Sequence, residues 1–216
     1  MKIDFQRVAV PEGAQEVVLV RHGACDPPPP DGLIGGRSDP PLNERGLEQA
    51  EAVTLTLAEM PIGALFATPL RRTSETAAAT AAARGLTPTV VDDLVEVYLG
   101  EWEGHGIHER GARGDEELAR VMREQRWELI PGSEPAAEFA TRVRRGIEQV
   151  ADGAGTGAVA VAFTHAAVIA EACRQITNSD PFAFLHTANG SITRLFRRPD
   201  GRWTLASFNE TEHLTS

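Results

Sequence analysis

AVAVAFTHAAVIAEACRQI, Ala158 to Ile176, runs an apolar, β-branched stretch into Thr164 and His165 and starts a helical apolar pattern at once. A strand without polar alternation is buried on both faces, as strands are in parallel sheets covered by helices. A second stretch has the same design: VVLVRHG, Val17 to Gly23, is a core strand that ends on Arg21 and His22. Two strands that each deliver charged or titratable residues at their carboxyl ends define the expected architecture.

The remaining elements alternate in the same way. Asn43 reads as an N-cap for a helix with Leu47, Ala50, Val53 and Leu57 on one face. Ala64 to Ala67 is a short strand; a helix from Pro69 through ETAAATAAARG, stopped by Gly85, leads to the strand TPTVV. A further helix covers Ala136 to Val150, and SITRLFRR with RWTLASF forms a terminal hairpin about Pro199, Asp200 and Gly201. The expected fold class is α/β: one single-domain three-layer α/β/α sandwich over residues 1–216, with a mostly parallel sheet and an antiparallel edge strand. Residues 1–15 read as an N-terminal extension and residues 101–133 as a mobile lid insertion.

Composition narrows the function. The 216 residues are 42% hydrophobic and 24% charged, with a formal net charge of -10. That balance opposes broad attachment to nucleic acid or an anionic membrane, so an anionic substrate must be held by a local arginine cluster. No signal-like or membrane-length apolar run is present, and a cytoplasmic protein, with a homodimer possible, is expected. Cys25 and Cys173 lack the spacing of a disulfide framework or a zinc site. EWEGHGIHER offers Glu101, Glu103, His105 and His108, but without the helical His-Glu-x-x-His spacing it reads as lid, not as a metal centre. His186 and His213 read as structural or exposed, and Trp102 as core.

In open α/β sheets ligands sit outside the carboxyl ends of the strands. Arg21 and His22, Arg71 or Arg72, Glu96 and His165 all emerge at that rim. Guanidinium forks suit the spread charge of a transferring phosphoryl group. His22 can attack phosphorus, His165 can donate to the transferring group, and Glu96 can protonate the leaving alkoxide and then activate water. No metal or other cofactor is required beyond a covalent phosphohistidine at His22.

These segments, VVLVRHG, ATPLRRTSETA, LVEVYLGEWEG, PGSEPAAEFATRV, VAFTHAAVI and NGSITRLF, taken in order, resemble the histidine phosphatase superfamily, which includes the cofactor-dependent phosphoglycerate mutases. The resemblance implies a phosphoglycerate mutase-like fold, His22 as phosphorylated nucleophile, Arg21, Arg72 and His165 around the phosphate, and Glu96 as proton donor. It selects Arg72 over Arg71, and Glu96 over Glu101 or Glu103. Ala24 and Cys25 depart from the family's usual residues after the RHG tripeptide, and Thr164-His165-Ala166 replaces Ser-His-Gly. Thr164 keeps a hydroxyl and is expected on the phosphate side; Arg37 is expected either to meet an anionic substrate or to pair with Asp39.

The reading is thus a metal-independent phosphomonoesterase of the histidine phosphatase type, acting on a small phosphorylated metabolite. The mutases are longer after the acid loop, which makes phosphoglycerate mutase the runner-up. A non-catalytic phospho-ligand binder is the alternative from another class.

Overall fold

A computed structural model describes residues 10–26, 32, 34–105, 107–155 and 157–214, the side chains of 107–109 excepted. Part of the expected N-terminal extension, most of the PPPPDG loop and the side chain of His108 therefore lie outside the described residues. The strands are β1 (Gln15–Arg21), β2 (Ile62–Ala67), β3 (Thr89–Val90), β4 (Val159–Thr164), β5 (Ile192–Arg197) and β6 (Trp203–Glu210). The helices are α1 (Glu44–Thr56), α2 (Arg71–Arg84), α3 (Ile107–Ala112), α4 (Glu116–Glu124), α5 (Ala136–Gly153) and α6 (Ala166–Thr177).

The six strands form one sheet in the order β3-β2-β4-β1-β5-β6. β3, β2, β4 and β1 run parallel, β5 pairs antiparallel with β1, and β6 closes the hairpin on β5. This is the expected α/β class, with the antiparallel pair at one edge.

The two-residue period of β1 assigns its side chains to two cores. Val17 and Leu19 join Phe139, Val143, Ile147 and Val150 of α5 and Val168, Ile169 and Ala172 of α6. Val18 and Val20 join Val53, Leu57 and Ala77 on the α1 and α2 side. All four strand residues have no exposure, each worth about 1.5–3 kcal/mol of burial. A one-residue slip would exchange every partner, so the register is strongly set.

Local signals act where expected at helix ends. The Asn43 side chain accepts from Gly46 N–H, and Gly85 ends α2 in the left-handed region at φ 62°. One face assignment is corrected: Leu47 is 52% exposed while Ala50, Val53 and Leu57 are buried. Gly46 takes the inward position on the first turn of α1, against the Ala24 main chain, which turns Leu47 outward. The 101–133 segment contributes Trp102, Val121 and Ile130 to the α5/α6-side core, so it is anchored by apolar side chains and is not wholly solvated. No helix among the described residues is long and apolar enough to cross a membrane.

Candidate active site

Strand register brings the two histidines together. β1 and β4 pair in parallel with Arg21 opposite Thr164, and His22 N–H donates to the Thr164 carbonyl at 2.9 Å, extending the ladder by one step. The next residue on each strand is therefore a histidine at the same rim. Their ring centroids lie 5.3 Å apart, edge to face, and both are buried, His22 at 5% and His165 at 0% exposure.

The hydrogen bonds of His22 fix its tautomer. Nδ1 lies 2.8 Å from the Gly23 carbonyl, and a carbonyl only accepts, so Nδ1 carries the hydrogen and Nε2 keeps its lone pair. Burial, then the charges of Arg21 and Arg72, hold this imidazole well below its usual pKa. The Asn189 side chain donates to the carbonyls of His22 at 3.0 Å and Gly23 at 3.3 Å, and holds the turn in place.

Glycine is required here for a close backbone approach. A Cβ on Gly23 would stand 2.5 Å from the Gly46 carbonyl oxygen, and one on Gly46 would run into the Ala24 carbonyl. The Gly23 N–H donates to Thr76 Oγ1 at 3.0 Å and the Ala24 N–H to Gln49 Oε1 at 2.8 Å. The loop that carries His22 is thereby seated on the first two turns of α1 and α2.

Arg72 lies in the first turn of α2 and is fully buried, whereas Arg71 is exposed and paired with Glu75 at 3.0 Å. Arg72 donates from Nε to His165 Nδ1 at 3.3 Å, and from its terminal nitrogens to the carbonyls of Ser38 and Gly35. Three of its five N–H groups are engaged, which leaves one on each terminal nitrogen. Arg21 donates to the Thr187 carbonyl, and its buried Nε has no protein partner. Neither arginine makes a salt bridge among the described residues. Buried cations without an ion partner are costly, and Arg72 also sits at the positive end of a helix, so the pocket is built for an arriving anion.

Glu96 is 8% exposed. Burial raises its carboxyl above the ordinary range, against the lowering effect of the Val97 and Ala167 amides and of Arg72 and Arg21. Those amides donate to Oε1 at 2.9 Å and Oε2 at 3.2 Å. Arg142 of α5 clamps the backbone beneath it, donating to the carbonyls of Asp93, Val95 and Glu96 while paired to Glu134. Sequence reasoning missed Arg142, which reads as one more charge on a solvated helix face.

Other expected positions behave differently. Thr164 is corrected as a phosphate contact: its hydroxyl donates to the Leu94 carbonyl at 2.8 Å, so it braces the strand end. Arg37 does not pair with Asp39. Its guanidinium lies 3.8 Å over the Tyr98 ring, and Asp39 Oδ1 accepts from Arg71 N–H at 2.7 Å. Cys25 Sγ stands 3.9 Å from His22 Nδ1, yet burial pushes its thiol up to about 11, which keeps it protonated. His213 is tied to the Gly190 carbonyl at 2.9 Å. Among the described residues no group of three or more His, Cys, Asp or Glu side chains is arranged to hold a metal ion.

Two neutral histidines, two unpaired guanidiniums and a carboxyl of raised pKa share one rim. The chain belongs to the histidine phosphatase superfamily, branch 1, whose profile matches residues 17–211. A bifunctional protein of Mycobacterium tuberculosis is 31% identical over 201 residues, 92% of this chain and 54% of its own length. The chain thus spans about half of that relative. The metal-independent phosphoserine phosphatase of Arabidopsis thaliana is 29% identical over 97% of this chain and 87% of its own length. Among solved structures, YhfR of Bacillus stearothermophilus superposes with a TM-score of 0.81 at 20% identity, covering 93% of this chain and 100% of that one. A mycobacterial glucosyl-3-phosphoglycerate phosphatase superposes with a TM-score of 0.74 at 25% identity, covering 91% and 99%.

Proposed function

We propose that the chain is a metal-independent phosphomonoesterase that works through a phosphohistidine at His22. The observation that carries this reading is the hydrogen bond from His22 Nδ1 to the Gly23 carbonyl at 2.8 Å, which leaves Nε2 as the free nucleophile. Its lone pair attacks phosphorus, the ester P–O bond breaks, and Glu96 gives its proton to the leaving alkoxide. The resulting imidazolium keeps its Nδ1 hydrogen on the carbonyl. Glu96, now a carboxylate, takes a proton from water as that oxygen attacks phosphorus; the P–N bond breaks and neutral His22 returns. The free donors of Arg72 and the Nε of Arg21 bind the equatorial oxygens throughout.

The substrate is a small phosphomonoester. Relatives named for phosphoserine, α-ribazole phosphate and glucosyl-3-phosphoglycerate set the first compounds to assay. The test is hydrolysis of para-nitrophenyl phosphate with chelator present, by wild type and His22→Ala, together with that substrate panel. Turnover by wild type alone supports the reading; turnover that depends on added metal, or that survives in His22→Ala, overturns it.

A further inference from the structure

His165 presents a problem that the proposed chemistry leaves open. Both of its ring nitrogens are already engaged by the protein: Nδ1 stands 3.3 Å from Arg72 Nε and Nε2 stands 3.1 Å from Thr68 Oγ1. Neither is free to donate to a phosphoryl oxygen in this arrangement. Thr68 Oγ1 in turn lies 2.7 Å from Thr73 Oγ1, and Thr73 Oγ1 lies 2.8 Å from the Leu70 carbonyl. His165, Thr68 and Thr73 are all at most 1% exposed, so water cannot substitute for a missing partner.

The direction of every hydrogen in this chain follows from its first member. A guanidinium cannot accept, so the Arg72 Nε–H donates and His165 Nδ1 accepts. The neutral ring then carries its hydrogen on Nε2 and donates to Thr68. The Thr68 oxygen accepts from that Nε2–H and, at 3.4 Å, from the Leu70 N–H, so its own hydrogen goes to Thr73. The Thr73 hydroxyl ends the chain on backbone carbonyls, Leu70 at 2.8 Å and Thr68 at 3.1 Å, neither of which can donate. Leu70 is the N-cap residue of α2, so the chain starts at Arg72 and returns to the helix that carries Arg72. Any reversal of one bond sets two donors or two acceptors face to face in a dry interior, where an unmet polar group is costly.

We infer that Thr68 and Thr73 are positioning residues: their hydroxyl relay accepts the Nε2–H of His165 and fixes its ring, and the ring's Nδ1 holds the Arg72 guanidinium where its free N–H groups meet the phosphoryl oxygens. The inference rests on the proposed phosphoryl chemistry for its consequence and on the hydrogen-bond geometry for its mechanism. Without the Thr68 hydroxyl, the Nε2–H has no acceptor. Arg72 still requires an acceptor at Nδ1, so the hydrogen stays on Nε2 as a buried, unmet donor, and the ring shifts from its place and loosens its hold on the guanidinium.

Thr68→Val keeps the shape of the side chain and removes the hydroxyl; Thr68→Ser restores it. Two-bond 1H–15N spectra of histidine-labelled protein read the tautomer, with His165→Asn identifying the resonances. Titration with inorganic phosphate and hydrolysis of para-nitrophenyl phosphate read the consequence. In Thr68→Val we expect the Nε2–H tautomer to persist, held by Arg72, with phosphate affinity and kcat/KM both down about 10- to 100-fold, as for supporting groups elsewhere, and recovery to within about 3-fold in Thr68→Ser. Thr73→Val, one bond further out, gives the same change in smaller degree, about 5-fold, and serves should Thr68→Val not fold. Hydrogen on Nδ1 of His165 in wild type overturns the relay. Unchanged phosphate affinity and kcat/KM in Thr68→Val overturn its link to Arg72. If wild type binds phosphate with the expected tautomer but hydrolyses no ester, the catalytic reading has failed while the relay stands.

Discussion

His22 and His165 occupy equivalent places, one step beyond the paired ends of neighbouring parallel strands, and burial holds both well below the usual imidazole pKa. They differ in what their nitrogens have left to do. His22 spends Nδ1 on a backbone carbonyl and keeps Nε2; His165 has side-chain partners on both. Burial and a lowered pKa thus do not by themselves identify a nucleophile. In the proposed chemistry the free lone pair makes that distinction.

The comparison breaks most easily at the first histidine. His22→Ala is expected to lower hydrolysis by about 10⁴-fold or more while phosphate binding survives, and acid quenching of turnover should trap a phosphoenzyme only when His22 is present. A phosphoenzyme that persists in His22→Ala and vanishes in His165→Asn would reverse the two roles.

Next in size is Glu96→Gln, expected to cost about 10²–10⁴-fold with an alkyl phosphate and far less with para-nitrophenyl phosphate, whose leaving group needs no proton. The pH profile of kcat/KM sharpens the assignment. His22 must be neutral, and its lowered pKa puts the acid limb below about pH 6.5. Glu96 must be protonated, and its raised pKa carries activity above the ordinary carboxylate range before the alkaline limb falls. That alkaline limb should disappear in Glu96→Gln. Folding stability follows the histidines with the same sign as a paired carboxylate, because in both the folded state binds its proton less readily than the unfolded chain. Below about pH 6.5 the unfolded chain takes up protons that buried His22 and His165 refuse, so the urea midpoint should drop on acidification.

Gly46→Ala tests the seat of the His22 loop. Its Cβ would collide with the Ala24 carbonyl, and a loss of about 1–3 kcal/mol in urea unfolding is expected, together with reduced kcat. The smallest effect belongs to Arg71→Ala. Its exposed i,i+4 pair with Glu75 is worth about 0.3–0.5 kcal/mol, and kcat should change less than about 2-fold.

What was legible in the sequence followed physical range. Strands β1 and β4 declare themselves by unbroken apolar runs, and Arg21, His22 and His165 stand where those runs stop, so their convergence at one rim could be argued from topology. Arg72 and Glu96 needed the ordered motifs, because a basic pair or a lone glutamate in a loop is otherwise ordinary. Thr164 was misread because a hydroxyl beside a histidine says nothing of its direction; its partner, Leu94, lies on another segment. Thr68 and Thr73 carry a weak signal, two hydroxyls that flank the basic pair. Nothing local says that a residue 97 positions from Thr68 completes their chain. Arg142 was invisible for the same reason: its carbonyl partners are 46 to 49 positions away.

The contact between Gly23 and Gly46 has an evolutionary corollary. Because main chain meets main chain there, enlarging one position cannot be offset by shrinking the other, as it can between two side chains in a core. Each glycine already has nothing left to remove. The two positions are therefore locked independently, and descendants of this chain can explore new residues at Ala24 or Cys25 far more freely than at either side of that seam.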